Sequence, residues 1–244
     1  MPRPLGLALA AATGVAAVHA FPGLGNIDVL RRRALPGLSG LGAPGHVALT
    51  FDDGPDPAST PAFLAALDRL GWRATFFMLG SMVDRAPGLA AEVAAAGHEI
   101  AVHGYEHRSE LLRGPRAVAD DLALAIDSLA SATGRWPMWF RPPYGSLSTA
   151  GLVAARRNRV RPVLWSTWGR DWRAEATPDT VVDDVTRHLG PGATVLLHDS
   201  DCTSAPGAWR SALGALDALG EEFEARGLTV GPLAEHGLRA AGAG

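Results

Sequence analysis

Apolar and polar residues follow two rhythms along this chain. From residue 46 onward, short apolar or alternating runs recur at 47–51, 74–78, 99–103, 138–141, 160–165, 194–198 and 228–230, and their length and composition predict buried strands. Between them, the stretches 60–70, 90–96, 116–132, 149–157, 179–189 and 209–226 space their apolar residues as a helix with one buried face does. Several open on Ser, Thr or Pro, and Gly71, Gly97, Gly134, Gly190 and Gly227 fall just past their ends, where a left-handed terminating residue favours glycine. Strand and helix in alternation predict a parallel sheet covered by helices. Either a doubly wound open sheet or a barrel has that pattern. The polar residues favour the barrel: Asp52 and Asp53, His103, Arg141 and His198 all fall at the carboxyl ends of predicted strands, which in a β/α barrel converge on one face.

Ahead of this region the pattern changes. Residues 21–45 are dense in Pro and Gly without a sustained period and read as a linker, which puts the domain at 46–240. Earlier still, Arg3 precedes an uncharged, Ala-rich apolar stretch at 5–18, and Val18-His19-Ala20 has the small-x-small form of a cleavage site. Residues 1–20 are therefore expected to be a signal peptide or an N-terminal membrane anchor, with the domain exported; Arg31-Arg32-Arg33 beyond the stretch leaves the choice between them open. A chain of 244 residues suits one large domain. Its net charge of -3 argues against a nucleic-acid partner and suits an uncharged polymer better. Oligomeric state leaves no signal. Cys202, the only cysteine, excludes an internal disulfide, and with no activating base at a recognisable spacing it reads as a packed side chain rather than a nucleophile.

The chemistry begins where the first strand runs into Asp52-Asp53-Gly54-Pro55. In an extended segment neighbouring side chains point opposite ways, so Asp52 and Asp53 are expected to take separate partners, one as metal ligand and one as proton acceptor. Asp-Asp-Gly-Pro is also a good turn sequence, and this segment alone does not decide between turn and site. After the third strand, His103 and His107 stand four residues apart; a helix starting at Gly104 would face both rings one way, and with Asp53 they form a three-ligand set that suits zinc. Arg141, fixed by Pro142-Pro143 behind it, can grip a carboxylate through two hydrogen bonds. Trp165, Trp168 and Trp172 suit stacking on sugar rings, or the core. Leu196-Leu197-His198 completes the set.

In this order, the segments Thr50-Phe51-Asp52-Asp53-Gly54-Pro55, His103 with His107, Arg141-Pro142-Pro143-Tyr144, Asp171-Trp172 and Leu196-Leu197-His198 resemble the five motifs of the polysaccharide deacetylase family, carbohydrate esterases with a NodB-type domain. The resemblance runs from residue 46 to the C-terminus. It implies a distorted (β/α) barrel of seven or eight strands and hydrolysis of N- or O-acetyl groups on chitin, peptidoglycan, xylan or related glycans; the expected export favours a cell-wall or extracellular glycan, with N-acetylglucosamine units first. It implies Asp53, His103 and His107 as ligands of a divalent metal, zinc first with Co²⁺ or Mn²⁺ as alternatives. Asp52 would be the general base, tethered and held ionised by Arg141, and His198 the general acid, oriented by Asp171. The backbone N–H of Tyr144 would serve the oxyanion, and Trp172, Leu196 and Pro143 would wall the acetyl pocket. Two positions depart from the family pattern: Gly104 replaces a hydroxyl residue that could tie the metal loop, and Trp168 replaces an aspartate. Other readings of the same residues are a small-molecule amidase, a two-His-one-carboxylate iron oxygenase, and a glycan-binding module without turnover.

Overall fold

The structure, a computed structural model, describes residues 37–238, so the leader or anchor expected at 1–20 lies outside the described residues. Among the described residues, no helix is long and apolar enough to cross a membrane. The strands are β1 (His46–Asp52), β2 (Thr75–Met78), β3 (Glu99–Val102), β4 (Trp139–Phe140), β5 (Arg161–Pro162), β6 (Thr167–Trp168), β7 (Thr194–His198) and β8 (Thr229–Gly231). The helices are α1 (Thr60–Leu70), α2 (Gly80–Arg85), α3 (Pro87–Ala95), α4 (Pro115–Thr133), α5 (Thr149–Arg157), α6 (Pro178–Arg187) and α7 (Trp209–Ala225).

All pairings are parallel, in the order β5-β4-β3-β2-β1-β7-β6, with β8 set against the first half of β1. The sheet curls into a half-barrel, the distorted barrel that the alternation and the resemblance imply. Its distortion lies between β5 and β6, where the chain passes from one strand to the next with no covering helix. There the Val163 N–H donates to Phe140 O on β4, and the Ser166 N–H donates to Thr194 O on β7. One run thus spans the two edges, and of the strand expected at 160–165 only the two residues of β5 form, with β6 following outside those bounds. Chain ahead of β1 supports this seam: Leu38 O accepts from the Leu164 N–H, and Gly40 O accepts from Thr194 Oγ1 at 2.6 Å. Residues 37–45, which their Pro and Gly content marks as linker, therefore pack with the domain. Two elements escape the sequence pattern because they are too short to show a period, the six-residue α2 and the two-residue β6.

Every residue of β1 is buried, but its two faces do different work. Val47, Leu49 and Phe51 meet the helices, in a core with Phe63 and Leu67 of α1 and Leu216, Leu219 and Phe223 of α7. At about 1.5–3 kcal/mol for each large side chain removed from water, this outer layer supplies most of the fold's driving force. Ala48 faces the inside of the curl with Phe77, Ala101, Trp139, Val163 and Leu233. By strand parity Thr50 and Asp52 share that inner side, above this small apolar floor.

A buried histidine reports on the fold at acid pH. His98, just ahead of β3, is 4% exposed, stands edge-on to Phe76 and accepts the Ala74 N–H at Nδ1 over 3.2 Å. Burial, reinforced by the charge of Arg73, lowers its pKa to about 4, so the folded protein keeps it neutral where the unfolded chain already binds a proton. The associated stability is complete above the unfolded value near 6.5 and is lost as pH falls towards 4, by up to about 3 kcal/mol. Thermal unfolding followed from pH 7 to pH 4 should show this loss, and His98→Gln, which keeps an acceptor without titrating, should flatten it. Equal slopes in the two proteins would remove His98 from the account.

Candidate active site

Arg141 organises the site. Its side chain is fully buried and lies over the Phe77 ring, 3.9 Å from the centroid. Nη1 donates to Asp52 Oδ1 at 2.6 Å and to Thr50 Oγ1 at 2.9 Å, Nη2 donates to Leu164 O at 2.9 Å, and Nε donates to Val163 O at 3.4 Å. The two-bond grip expected on a carboxylate is therefore a single bond to Asp52, because the β5–β6 seam takes the other donors. Burial raises the Asp52 pKa, and the charge and hydrogen bond of Arg141, with a smaller effect of His198, offset it only in part. Arg141 thus favours the ionised carboxylate, as the resemblance implied, against a burial that acts the other way.

Asp53 leaves the strand. Its φ of 79° is left-handed, a conformation aspartate tolerates better than most residues, and it ends the alternation that would have aimed the two acids apart. Both carboxylates consequently approach one imidazole: His103 Nε2 lies 3.4 Å from Asp53 Oδ1 and 3.7 Å from Asp52 Oδ2. His107 Nε2 lies 3.6 Å from the same Asp53 oxygen. The histidines do not share a helix; a bent loop brings them together, with Gly104 at φ 88°. Around that loop Gly80 N–H donates to Gly104 O, Ser81 N–H to Tyr105 O, and Tyr105 N–H to Asp121 Oδ2 on α4 at 2.8 Å. Arg113 holds the other Asp121 oxygen at 2.7 Å.

These groups fit a divalent cation. His103 Nδ1 donates to Arg141 O at 2.8 Å, which leaves the Nε2 lone pair directed at Asp53. Burial, against the opposing charge of Asp53, lowers the His103 pKa to about 3, so the ring is neutral as a ligand must be. Asp53 Oδ1 is buried with no hydrogen-bond partner, a costly state for an anionic oxygen unless a cation faces it. One donor atom from each of Asp53, His103 and His107 lies within 4.8 Å of the others.

Opposite the triad stands His198, at the end of β7. Asp171 accepts its backbone N–H at 2.7 Å through Oδ2 and its Nδ1 at 3.0 Å through Oδ1. Burial alone would lower this pKa, but the charge and hydrogen bond of Asp171, with the charges of Asp53 and Asp52, raise it to about 10. A cavity of about 590 Å³ opens over these groups, lined by Asp52, His103, His107, Tyr144, Trp172, Leu196 and His198 among others. Asp53, Arg141 and Asp171 lie buried directly behind the lining. Pro143 is buried and does not line the cavity; its ring packs towards Gly104. Tyr144 sits at φ 60° with its ring edge-on to His107, centroids 4.3 Å apart. For Cys202, burial and the charge of Asp53 push the thiol up to about 12, which leaves no thiolate at neutral pH.

Three residues to which the sequence assigns no role support the site. Thr203 Oγ1 donates to Asp53 Oδ2 at 2.5 Å, Asp121 holds the histidine loop, and Asp199 lies under the Asp52-Asp53-Gly54 turn. The Asp199 carboxyl accepts from Thr60 Oγ1 at 2.5 Å and would clash with any side chain at Gly54. Burial, with the charges of Asp53 and Asp52 added, raises its pKa to about 7. All three act across long sequence separations, and no spacing rule links them to their partners.

A curled parallel sheet that gathers an Asp-His-His triad and a carboxylate-backed histidine at its strand ends is a β/α-barrel scaffold with a candidate metal centre. The chain belongs to the polysaccharide deacetylase family, whose sequence profile matches residues 41–163. A chitooligosaccharide deacetylase of Bradyrhizobium sp. (strain ANU 289) is 35% identical over 195 residues, 77% of this chain and 88% of the relative. Among solved structures, a peptidoglycan N-acetylglucosamine deacetylase superposes with a TM-score of 0.75 at 28% identity, over 82% of this chain and 92% of that one. A carbohydrate esterase family 4 pseudoenzyme from Bacillus anthracis also matches, with a TM-score of 0.72 at 26% identity over 80% of this chain and 66% of that one.

The hydroxyl of Thr203 generates a test. Thr203→Val leaves Asp53 without its only hydroxyl donor among the described residues while preserving side-chain shape. Zn²⁺ titration by calorimetry should show affinity about 10- to 100-fold weaker than wild type. Unchanged affinity would mean that the hydroxyl does not position the ligand.

Proposed function

We propose that this chain is a metal-dependent hydrolase that removes N-acetyl groups from an extracellular or cell-wall polysaccharide, with N-acetylglucosamine units as its target. The observation that carries this reading is the division of the carboxylate pair. Asp53 Oδ1 faces both histidine Nε2 atoms, while Asp52 is held by Arg141 beside the same His103. Two imidazoles and one carboxylate suit Zn²⁺, and Asp53, His103 and His107 would hold it. When bound there, such a cation supplies Lewis acidity to the acetyl carbonyl and acidity to a water.

The chain's own groups do the rest. Asp52, with its raised pKa, accepts the proton of the attacking water. His198, protonated at neutral pH through Asp171, delivers a proton to the leaving nitrogen. An amine leaves poorly unless protonated, and His198, held by Asp171 at the cavity wall, is placed to supply that proton. Trp172 and Leu196 exclude water around the acetyl group, and the Tyr144 N–H is assigned to the oxyanion, a donor worth about 3 kcal/mol. The tryptophan-lined cavity favours sugar rings over a small amide. An iron oxygenase would leave Asp52, Arg141 and His198 without work. Action outside the membrane follows if residues 1–20 export the domain.

Acetate release from peptidoglycan, chitin oligomers and acetylxylan with added Zn²⁺ or Co²⁺ tests the activity; release from none of them would sink it. Asp52→Asn should keep the metal and lose about 10²- to 10⁴-fold in kcat, whereas His103→Ala should lose the metal itself. Equal metal loss in both would mean that base and ligand are exchanged.

The pH profile separates the acid. Removing the Asp171 charge takes away what raises the His198 pKa, so Asp171→Asn should move the basic limb of kcat/KM to lower pH and leave metal content unchanged. A basic limb that does not move would exclude His198 as the acid.

A further inference from the structure

Three indoles extend the cavity wall away from His198. Trp172 stands edge-on to the His198 ring at 5.7 Å between centroids, Trp168 follows Trp172 at 4.8 Å, and Trp165 stacks on Trp168 at 5.6 Å with 27° between planes. Arg170 also lines the cavity and places its guanidinium over the Trp168 ring, 5.3 Å from the centroid. It is set there by a left-handed backbone at φ 49°, and its carbonyl accepts from Arg173 Nε at 3.0 Å.

This cation has no counter-charge. The neighbouring carboxylates are committed elsewhere: Asp184 pairs with both Arg173 and Arg187, and Asp171 is taken by His198. Among the described residues Arg170 makes no ion pair, and the one carboxylate lining the cavity, Asp52, already holds Arg141. A guanidinium held over an indole face and without an ion pair can offer its N–H edge to a carboxylate through two parallel hydrogen bonds. Trp168 stands where the family pattern reads aspartate, so this part of the wall presents an indole with a cation in place of an acid.

We propose that Arg170, carried on Trp168, is a specificity-determining residue that binds the carboxylate of an acidic sugar adjacent to the N-acetylated unit under attack. The subsite lies one ring contact beyond Trp172, outside the acetyl pocket, and selects carboxylate-bearing glycans over neutral ones. This rests on the deacetylase reading given above.

The test compares three tetrasaccharides: peptide-free alternating N-acetylglucosamine and N-acetylmuramic acid, the same oligomer with its lactyl carboxylates amidated, and chitotetraose. With the Zn²⁺-loaded full chain, kcat/KM for acetate release should be at least about tenfold higher on the acidic oligomer than on its amidated form, mostly through KM. Arg170→Gln should collapse that ratio towards one, and Arg170→Lys should restore it only in part, because an ammonium cannot form the paired bonds. Tryptophan fluorescence titration with the same oligomers reads the preference without turnover. If wild type releases acetate but treats the acidic and amidated forms alike, or if Arg170→Gln leaves the ratio intact, the subsite is wrong and the deacetylase reading stands. Acidic preference in binding with no acetate release from any oligomer would instead uphold the subsite as a glycan-binding feature and overturn the catalysis.

Discussion

The fully buried guanidinium of Arg141 is the constraint on which the rest of the site depends. It joins β1 through Thr50 and Asp52 and reaches across to the β5–β6 seam through Val163 and Leu164, while its own carbonyl fixes the His103 tautomer. Burying such a charge costs several kcal/mol, recovered only if its donors are satisfied and a counter-charge is close. Asp52 supplies the counter-charge, carbonyl and hydroxyl oxygens take other donors, and the Phe77 face covers one side of the plane. Base position, ligand orientation and the seam of the half-barrel are therefore not independent. A lysine could supply the charge but not the fork of donors that reaches all of them.

Around this hub the same low-polarity setting drives equivalent side chains to opposite states. His103 donates to a carbonyl and its pKa falls to about 3, whereas His198 pairs with Asp171 and rises to about 10. Burial acts in the same direction on both, so the partner decides which imidazole is a neutral ligand and which a charged donor. The two aspartates divide by the same logic. Asp52 has a counter-ion at 2.6 Å, whereas Asp53 Oδ1 has only the two imidazole nitrogens before it. A turn in the backbone at Asp53, not a difference in residue type, separates the roles.

How much of this is legible in the sequence follows from the range of the interactions. Strand and helix patterning locates the elements because burial of one face repeats within a few residues, and α1 and α5 match their expected bounds. The candidate site residues were legible as motifs at strand ends. Their geometry was less so. The pairing of Asp52 with Asp53 around one imidazole depends on a single left-handed φ, and the loop that replaces the expected helix after Gly104 is tied by Asp121 from α4. Thr203 reaches Asp53 from 150 residues away, and such contacts leave no local period to read.

Membership of the family does not by itself confer activity, since the fold is shared with a pseudoenzyme at a TM-score of 0.72. Activity depends on individual positions, and Gly104 is the departure closest to the candidate metal triad. In this chain a side chain at 104 would face two obstacles: φ is 88°, and a Cβ there would sit 3.2 Å from Asp121 Oδ2. The same Asp121 oxygen accepts the next N–H, that of Tyr105, and Arg113 anchors the other. The tie that a hydroxyl residue would make within the loop is thus made from outside by a carboxylate on α4. His103 and His107 remain held, and the position of His107 becomes coupled to the packing of α4 against the sheet.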